Sequence, residues 1–214
     1  MSTVYTVNGK VLKNAANDKW LIKATPVDPY NPLNLPPNTI RVRTSDRNPP
    51  RKEDDLATYE TATLVEGTTD VYDVYKSGTN FDKILESTPN TIEVLGANTS
   101  NITSMYYMFA GCGSLTTVSL FDTSKVTDMG NMFAWCRNLT SIPLFDTSKV
   151  TNMTEAFVDC YSVSAGALAL YQQASTQTNP PLYHSDCFLN CGRDTTNGAA
   201  ELVQIPSSWG GTGA

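Results

Sequence analysis

Cys112, Cys136 and Cys160 recur at intervals of 24 residues, and Cys191 follows 31 residues later. Thiolates are strong nucleophiles and soft-metal ligands, so this column is where chemistry would first be sought. Three readings are open: a metal site, a disulfide, or a file of small buried side chains. Structural zinc sites draw their cysteines in pairs two to four positions apart. A 24-residue spacing supplies no such pair, and Cys187 with Cys191 lacks a second pair. The expected state is a buried thiol ladder, because free cysteine is among the most buried residue types. A disulfide at Cys187 is the alternative, and no metal or cofactor is expected.

His184 is the chain's one histidine. Hydrolytic and metal chemistry usually draws on more. It reads as a surface or hydrogen-bonded ring, an enzyme is disfavoured, and no catalytic residue is assigned. Asp122 and Asp146, 24 apart and joined by Asn98, would lie one above the other. Stacked carboxylates suit Ca²⁺; side chains that bond their own turn amides are the expected reading. Arg41, Arg43, Arg47, Arg51 and Lys52 form a basic stretch ahead of Glu53, Asp54 and Asp55. It is either a solvated loop or a docking patch for an acidic neighbouring subunit, with Arg41 and Arg43 as the candidates.

Those residues must be positioned by a repeat. Phe121-Asp122-Thr123-Ser124-Lys125-Val126-Thr127 returns as Phe145-Asp146-Thr147-Ser148-Lys149-Val150-Thr151, and a degenerate copy runs from Ala97 to Thr103. Met105, Met129 and Met153 share the spacing, as do Phe109, Phe133 and Phe157. Phe188-Leu189-Asn190-Cys191 is a fourth unit displaced by an insertion of seven residues. The insertion carries a helix-like stretch, Ala165 to Ala174; a second insertion spans Gly192 to Ala200. The methionines read as core packing.

Within a unit, Leu139-x-x-Ile142-x-Leu144 ends in strand-like alternation. Val126, Met129, Met132-Phe133, Cys136 and Leu139 fall three or four apart, which predicts a short helix capped by Thr127, or by Thr151 in the next unit. One strand and one helical turn in 24 residues is the layout of a leucine-rich repeat. The predicted fold class is therefore α+β, a short leucine-rich-repeat solenoid with an N-terminal β cap and an extended N-terminal arm. The 28 threonines and a charged share of 17% agree with strands and turns over a helical bundle.

The unit L-F-D-T-S-K-V-T-x-M-x-x-M-F-x-x-C-x-x-L-T-S-I-P resembles the BspA-type leucine-rich repeat of bacterial surface proteins, over residues 92–206. The segment from Ala167 to Gly211 resembles the C-terminal cap of repeat proteins encoded by gut bacteriophages. That resemblance implies a virion fibre or surface protein, assembled as a homo-oligomer with a trimer favoured. Its implied partners are capsid, portal or tail proteins and a host cell-surface glycan or protein. The few repeats and the absence of a leader favour the virion over the cell surface. A bacterial cell-surface leucine-rich-repeat adhesin is the alternative.

Residues 1–37 read as an attachment arm. It opens with a hairpin, Val4 to Val7 against Lys10 to Leu12 across Asn8-Gly9, the favoured two-residue turn. Trp20 to Lys23 would add a strand, and Pro26 to Pro37 is too proline-rich for helix or central strand. Residues 38–91 read as a β cap with strands at Thr39–Arg43, Thr61–Val65 and Val71–Tyr75, and 92–214 as the solenoid. Fifteen basic residues against 21 acidic ones give a net charge of −6. That sign opposes phosphate backbones, so no nucleic-acid partner is expected. No apolar run is long enough to span a bilayer, and Met1 to Tyr5 does not open a secretory leader, so no membrane insertion is expected. Trp135 stands where sister units hold Gly111 and Asp159, a variable column and so a candidate partner contact. Ser119, Phe121, Ser141, Pro143 and Phe145, along the presumed concave strands, complete the candidates.

Overall fold

The computed structural model describes residues 5–7, 10–12, 28–52 and 56–214. Strands β1 (Tyr5–Val7) and β2 (Lys10–Leu12) pair antiparallel with Val7 opposite Lys10, the expected hairpin closing across two residues. The predicted strand at Trp20 to Lys23 lies outside the described residues. Strands β3 (Thr39–Thr44), β4 (Thr61–Leu64), β5 (Val71–Tyr75), β6 (Thr91–Asn98) and β7 (Thr117–Val118) form one mixed sheet in the order β4-β5-β3-β6-β7. All neighbours are antiparallel except β6 and β7. Two short helices follow, α1 (Ala167–Thr176) and α2 (Thr196–Leu202).

This corrects the expected fold class. The regular structure is an open five-stranded mixed sheet, not an α+β leucine-rich-repeat solenoid capped by a separate β element. No helix occurs between β7 and α1. Nor does the sheet stop at residue 91, because β3 pairs with β6 and β6 with β7.

The helical expectation fails for a reason visible in the backbone. Lys83, Tyr107, Asn131, Glu155 and Asp186 have φ between 54° and 58°, and Ser87, Gly111, Trp135, Asp159 and Asn190 have φ between 52° and 73°. A left-handed residue at every fourth position breaks a right-handed helix. What remains is a string of tight turns, with Met108 N–H bonded to Met105 O, Ala110 to Tyr107 and Cys112 to Phe109. The intervening amides point along the stack to the next unit. Phe109 N–H donates to Met132 O at 2.8 Å, Phe133 to Ala156 at 2.9 Å and Phe157 to Cys187 at 2.9 Å. Side chains at positions i, i+3 and i+4 still face inward, so the apolar pattern resembles that of a helix that does not form.

The repeat thus builds superposed layers of turns, joined by isolated parallel bridges at Asn80, Ser104, Asp128, Asn152 and Tyr183. The phenyl rings lie in one file: Phe109 to Phe133 at 5.1 Å, Phe133 to Phe157 at 5.5 Å and Phe157 to Phe188 at 5.7 Å, with ring planes within 17°. Trp209 closes the file at 6.4 Å from Phe188. One apolar core runs from Ile40 and Val42 in β3 to Trp209.

Threonine contributes two further ladders. Thr103 Oγ1 donates to Thr79 O, Thr127 to Thr103 and Thr151 to Thr127, at 3.1–3.2 Å. Thr116, Thr140 and Ser164 repeat this from Ile92. Thr127 and Thr151 therefore tie layers together and cap no helix. At the far end, α1 has no side-chain cap of its own. Glu201 of α2 supplies one, accepting from Leu168 N–H at 3.0 Å.

Candidate interaction surface

The thiols resolve first. All five cysteines are buried and free, so Cys187 forms no disulfide. Cys187 occupies the column of Met108, Met132 and Ala156, a core position. Cys112 Sγ donates to Leu85 O at 3.0 Å, Cys136 to Phe109 O and Cys160 to Phe133 O at 3.1 Å, each bonding the layer before it. Burial pushes the Cys112 thiol up to about 11 from an ordinary 9.0, and raises the other four as well. Thiols held protonated in the core are poor nucleophiles and poor ligands. No group of three metal-ligating side chains occurs among the described residues.

These shifts fix an alkaline limit. A group that holds its proton more tightly when folded stabilises the fold fully below its unfolded pKa, and that contribution fades as pH climbs toward the folded value. Stability is expected to be level between about pH 6 and 8 and to fall above about pH 9, by up to roughly 1.4 kcal/mol per pH unit for each thiol. Urea midpoints measured from neutral to alkaline pH check this, and Cys136→Ala should make the fall shallower.

The remaining polar candidates are structural. Asp122 and Asp146 accept from Ser124 and Ser148 N–H at 2.9 Å, which is the turn reading. His184 stacks on Trp209 with centroids 4.1 Å apart, and its Nδ1 lies 3.1 Å from Ser208 O. Arg41 binds Asp73 through two nitrogens at 2.7 and 2.8 Å, and the two residues are register partners. Arg43 pairs with Glu93, its partner on β6, at 2.9 Å, and with Asp70 at 3.5 Å. Strand alternation puts both on one face of β3 opposite acids of the flanking strands, with the Arg43 side chain still 41% exposed.

Phe121 and Phe145 are corrected. Both are fully buried, with centroids 5.0 Å apart, and so offer no contact surface. A tight turn from Phe145 N–H to Pro143 O at 2.9 Å reverses the alternation there. The outward residues are the preceding leucines, Leu120 (39% exposed) and Leu144 (52%). Ser119 and Ser141 are exposed beside them and Pro143 is half-buried. Sequence reasoning missed these leucines, though the Leu-Phe pair itself signals that one of the two must face out. The column begins at Gly96, where a Cβ would lie 3.0 Å from Leu33 Cδ1. Leu33, itself 41% exposed, stands where the repeat would put a leucine.

Trp135 is 38% exposed with φ 62°, on another side of the layers. Arg137, two residues on, reaches Tyr161 in the next layer, and Arg193 lies 3.9 Å over the same ring. Near α1, an open groove of about 580 Å³ is lined by Lys149, Val150, Pro180 and Leu182, the last of which is 76% exposed.

Residues 79–179 are similar to the family described as "Mycoplasma protein of unknown function, DUF285". That span starts one residue before the first inter-layer bridge, at Asn80, and runs three residues past the end of α1 at Thr176. It is compatible with a BspA-type surface repeat. No curated protein and no solved structure matches the chain.

Proposed function

We propose that this chain is a non-enzymatic, surface-displayed binding protein whose contacts run along Ser119, Leu120, Ser141, Pro143 and Leu144, with Trp135 as a separate anchor. The observation that carries the reading is Trp135. A bulky residue at positive φ is locally costly, sister layers place Gly111 and Asp159 there, and this indole stands outside the core cluster. The left-handed backbone itself belongs to the repeat, since Ser87, Gly111, Asp159 and Asn190 share it; what sets this layer apart is the partly exposed indole, and tryptophan is among the residue types enriched at interface anchors.

The resemblance of the repeat and of the C-terminal cap supports the finer reading: a bacteriophage virion fibre or decoration, held to capsid, portal or tail proteins and directed at a host-surface glycan or protein. The similarity to a family named for Mycoplasma favours a second reading, a bacterial cell-surface adhesin. Immuno-electron microscopy with an antibody to the chain separates them. Label on particles supports the first and label on the cell envelope the second; label confined to the cell interior would overturn both.

Trp135→Gly tests the anchor. Relief of left-handed strain and the entropic cost of glycine nearly offset, so the unfolding free energy should fall by about 1–3 kcal/mol, from the covered part of the indole, checked by urea denaturation. Adherence of protein-coated beads to the labelled particles or cells should fall at least several-fold. Unchanged adherence would rule Trp135 out.

A further inference from the structure

We propose that Trp135, Arg137 and Arg193 form a binding site for an acidic sugar, one that carries a carboxylate or a sulfate on an otherwise neutral ring. The inference deepens the reading of the chain as a displayed binding protein and rests on it. Three successive layers build the site. Trp135 and Arg137 belong to one layer, where a tight turn from Arg137 N–H to Trp135 O at 2.9 Å keeps them adjacent. Tyr161 takes the position of Arg137 in the next layer. Arg193 follows in the layer after, where Asp194 N–H bonds Tyr161 O at 3.2 Å. The guanidinium carbon of Arg137 lies 5.6 Å from the Tyr161 ring centre, and that of Arg193 lies 3.9 Å from it. Trp135 and Arg137 are exposed, and the Arg193 side chain is 47% exposed.

Two like charges held at one ring are the signal. The guanidinium groups lie within about 10 Å of each other, no farther than one screening length at 0.1 M salt. They repel; the tyrosine face offsets part of that cost, and an anion seated beside both offsets more. A guanidinium that meets a ring through its carbon keeps its in-plane N–H donors for other partners. Asp194 engages Arg193 only at Nε, at 3.3 Å. Asp159, in the position of Trp135 one layer on, accepts from Asn190 Nδ2 at 2.8 Å. These two acids limit the net positive charge of the patch. A single carboxylate or sulfate suits that balance, whereas a densely charged polyanion such as nucleic acid needs a larger cationic surface.

The surroundings favour a sugar over an acidic peptide. Extended peptides are recognised through free main-chain amides or an apolar groove. Here the amides are already bonded: Trp135 N–H donates to Val158 O at 2.8 Å, Asp159 to Leu189 O at 2.9 Å and Asp194 to Tyr161 O at 3.2 Å. What the layers offer outward is an indole beside planar cationic donors. A pyranose ring has a face of C–H groups that packs on an aromatic plane. An acidic group on its rim accepts two parallel bonds from a guanidinium fork. Trp135 thus takes the ring and Arg137 the anion, with Arg193 adding positive charge from two layers on.

Biolayer interferometry on the full-length chain tests this, with lactose, sialyllactose and sulfated lactose displayed on the sensor. At least one acidic probe should bind roughly tenfold more tightly than lactose, and which one does so separates carboxylate from sulfate. Arg137→Gln and Arg193→Gln should each weaken that binding by about fivefold. The double variant should bind all three probes alike, with a urea midpoint close to that of the unmodified chain because both side chains are exposed. Equal binding of lactose, no binding of either acidic probe, binding that survives the double change, or displacement by a glutamate-rich peptide as effective as by free sialyllactose would each overturn the site. Bead adherence distinguishes this failure from that of the broader reading. Adherence lost in Trp135→Gly but kept in the double glutamine variant overturns the acidic-sugar site and leaves the displayed binding protein standing.

Discussion

Phe133→Ala is expected to cost about 3–5 kcal/mol, the range for removing a buried phenyl ring from a core that cannot collapse around the gap. Phe133 sits mid-file, 5.1 Å from Phe109, 5.5 Å from Phe157 and 6.0 Å from Phe145, and is fully buried. Relaxation is limited because its own backbone N–H and those of its neighbours are bonded layer to layer. Domains of this size retain about 5–15 kcal/mol, so the variant should lose a large part of its stability, read as a lower urea midpoint. Phe121→Ala makes an internal comparison. Phe121 packs against Phe145 with the rings tilted by 45° and lies outside the central file, so it should fall at the lower end of the same range.

Gly166→Ala is expected to cost about 2–4 kcal/mol from left-handed strain and overpacking together. Gly166 opens α1 at φ 103°, and a Cβ there would stand 2.2 Å from Ile142 O. That obstacle is backbone, held by Ile142 N–H bonded to Ala165 O at 3.0 Å, so it cannot swing aside as a side chain would. Gly78→Ala isolates the conformational part. It has φ 85° with nothing within 4 Å of the added carbon, so it should cost about 1–2 kcal/mol. The difference between the two variants, measured by urea unfolding, reports the clash alone. If they are equally destabilised, the seating of α1 against the Ile142 turn is wrong.

Much of the site's interior was legible from equivalence between units. Cysteine, methionine and phenylalanine columns identified core positions without any knowledge of the backbone path, because side chains at one repeat position meet one environment. Asp122 and Asp146 were legible as turn formers for a local reason: a short acceptor two residues from an amide needs no tertiary partner. One layer was overlooked. Phe81, Ile84, Leu85 and Thr88 carry the spacing of Met105, Met108, Phe109 and Cys112, and all are buried. Only their residue types differ, and Thr88 Oγ1 lies 3.3 Å from Cys112 Sγ where a thiol would otherwise continue the ladder.

The interaction surface was harder to read, and each miss has a cause. Phe121 and Phe145 were placed outward by extending strand alternation past its end: a tight turn reverses it before Phe145, and in the earlier layer Leu120 faces out in place of Phe121. The acids that pair with Arg41 and Arg43 were not legible because Asp73 and Glu93 are 32 and 50 positions away in sequence, and only strand pairing brings them opposite.

By itself the sequence determined which residues are equivalent and which of them are core positions, and made a buried thiol ladder the expected state of the cysteines. Tertiary structure alone decided the path between them. A spacing of three and four is shared by a helix and by a run of turns broken by left-handed residues. The choice falls to the amides, which here bond the next layer in place of their own turn. Register, and with it which side chain of each Leu-Phe pair faces out, follows from that choice.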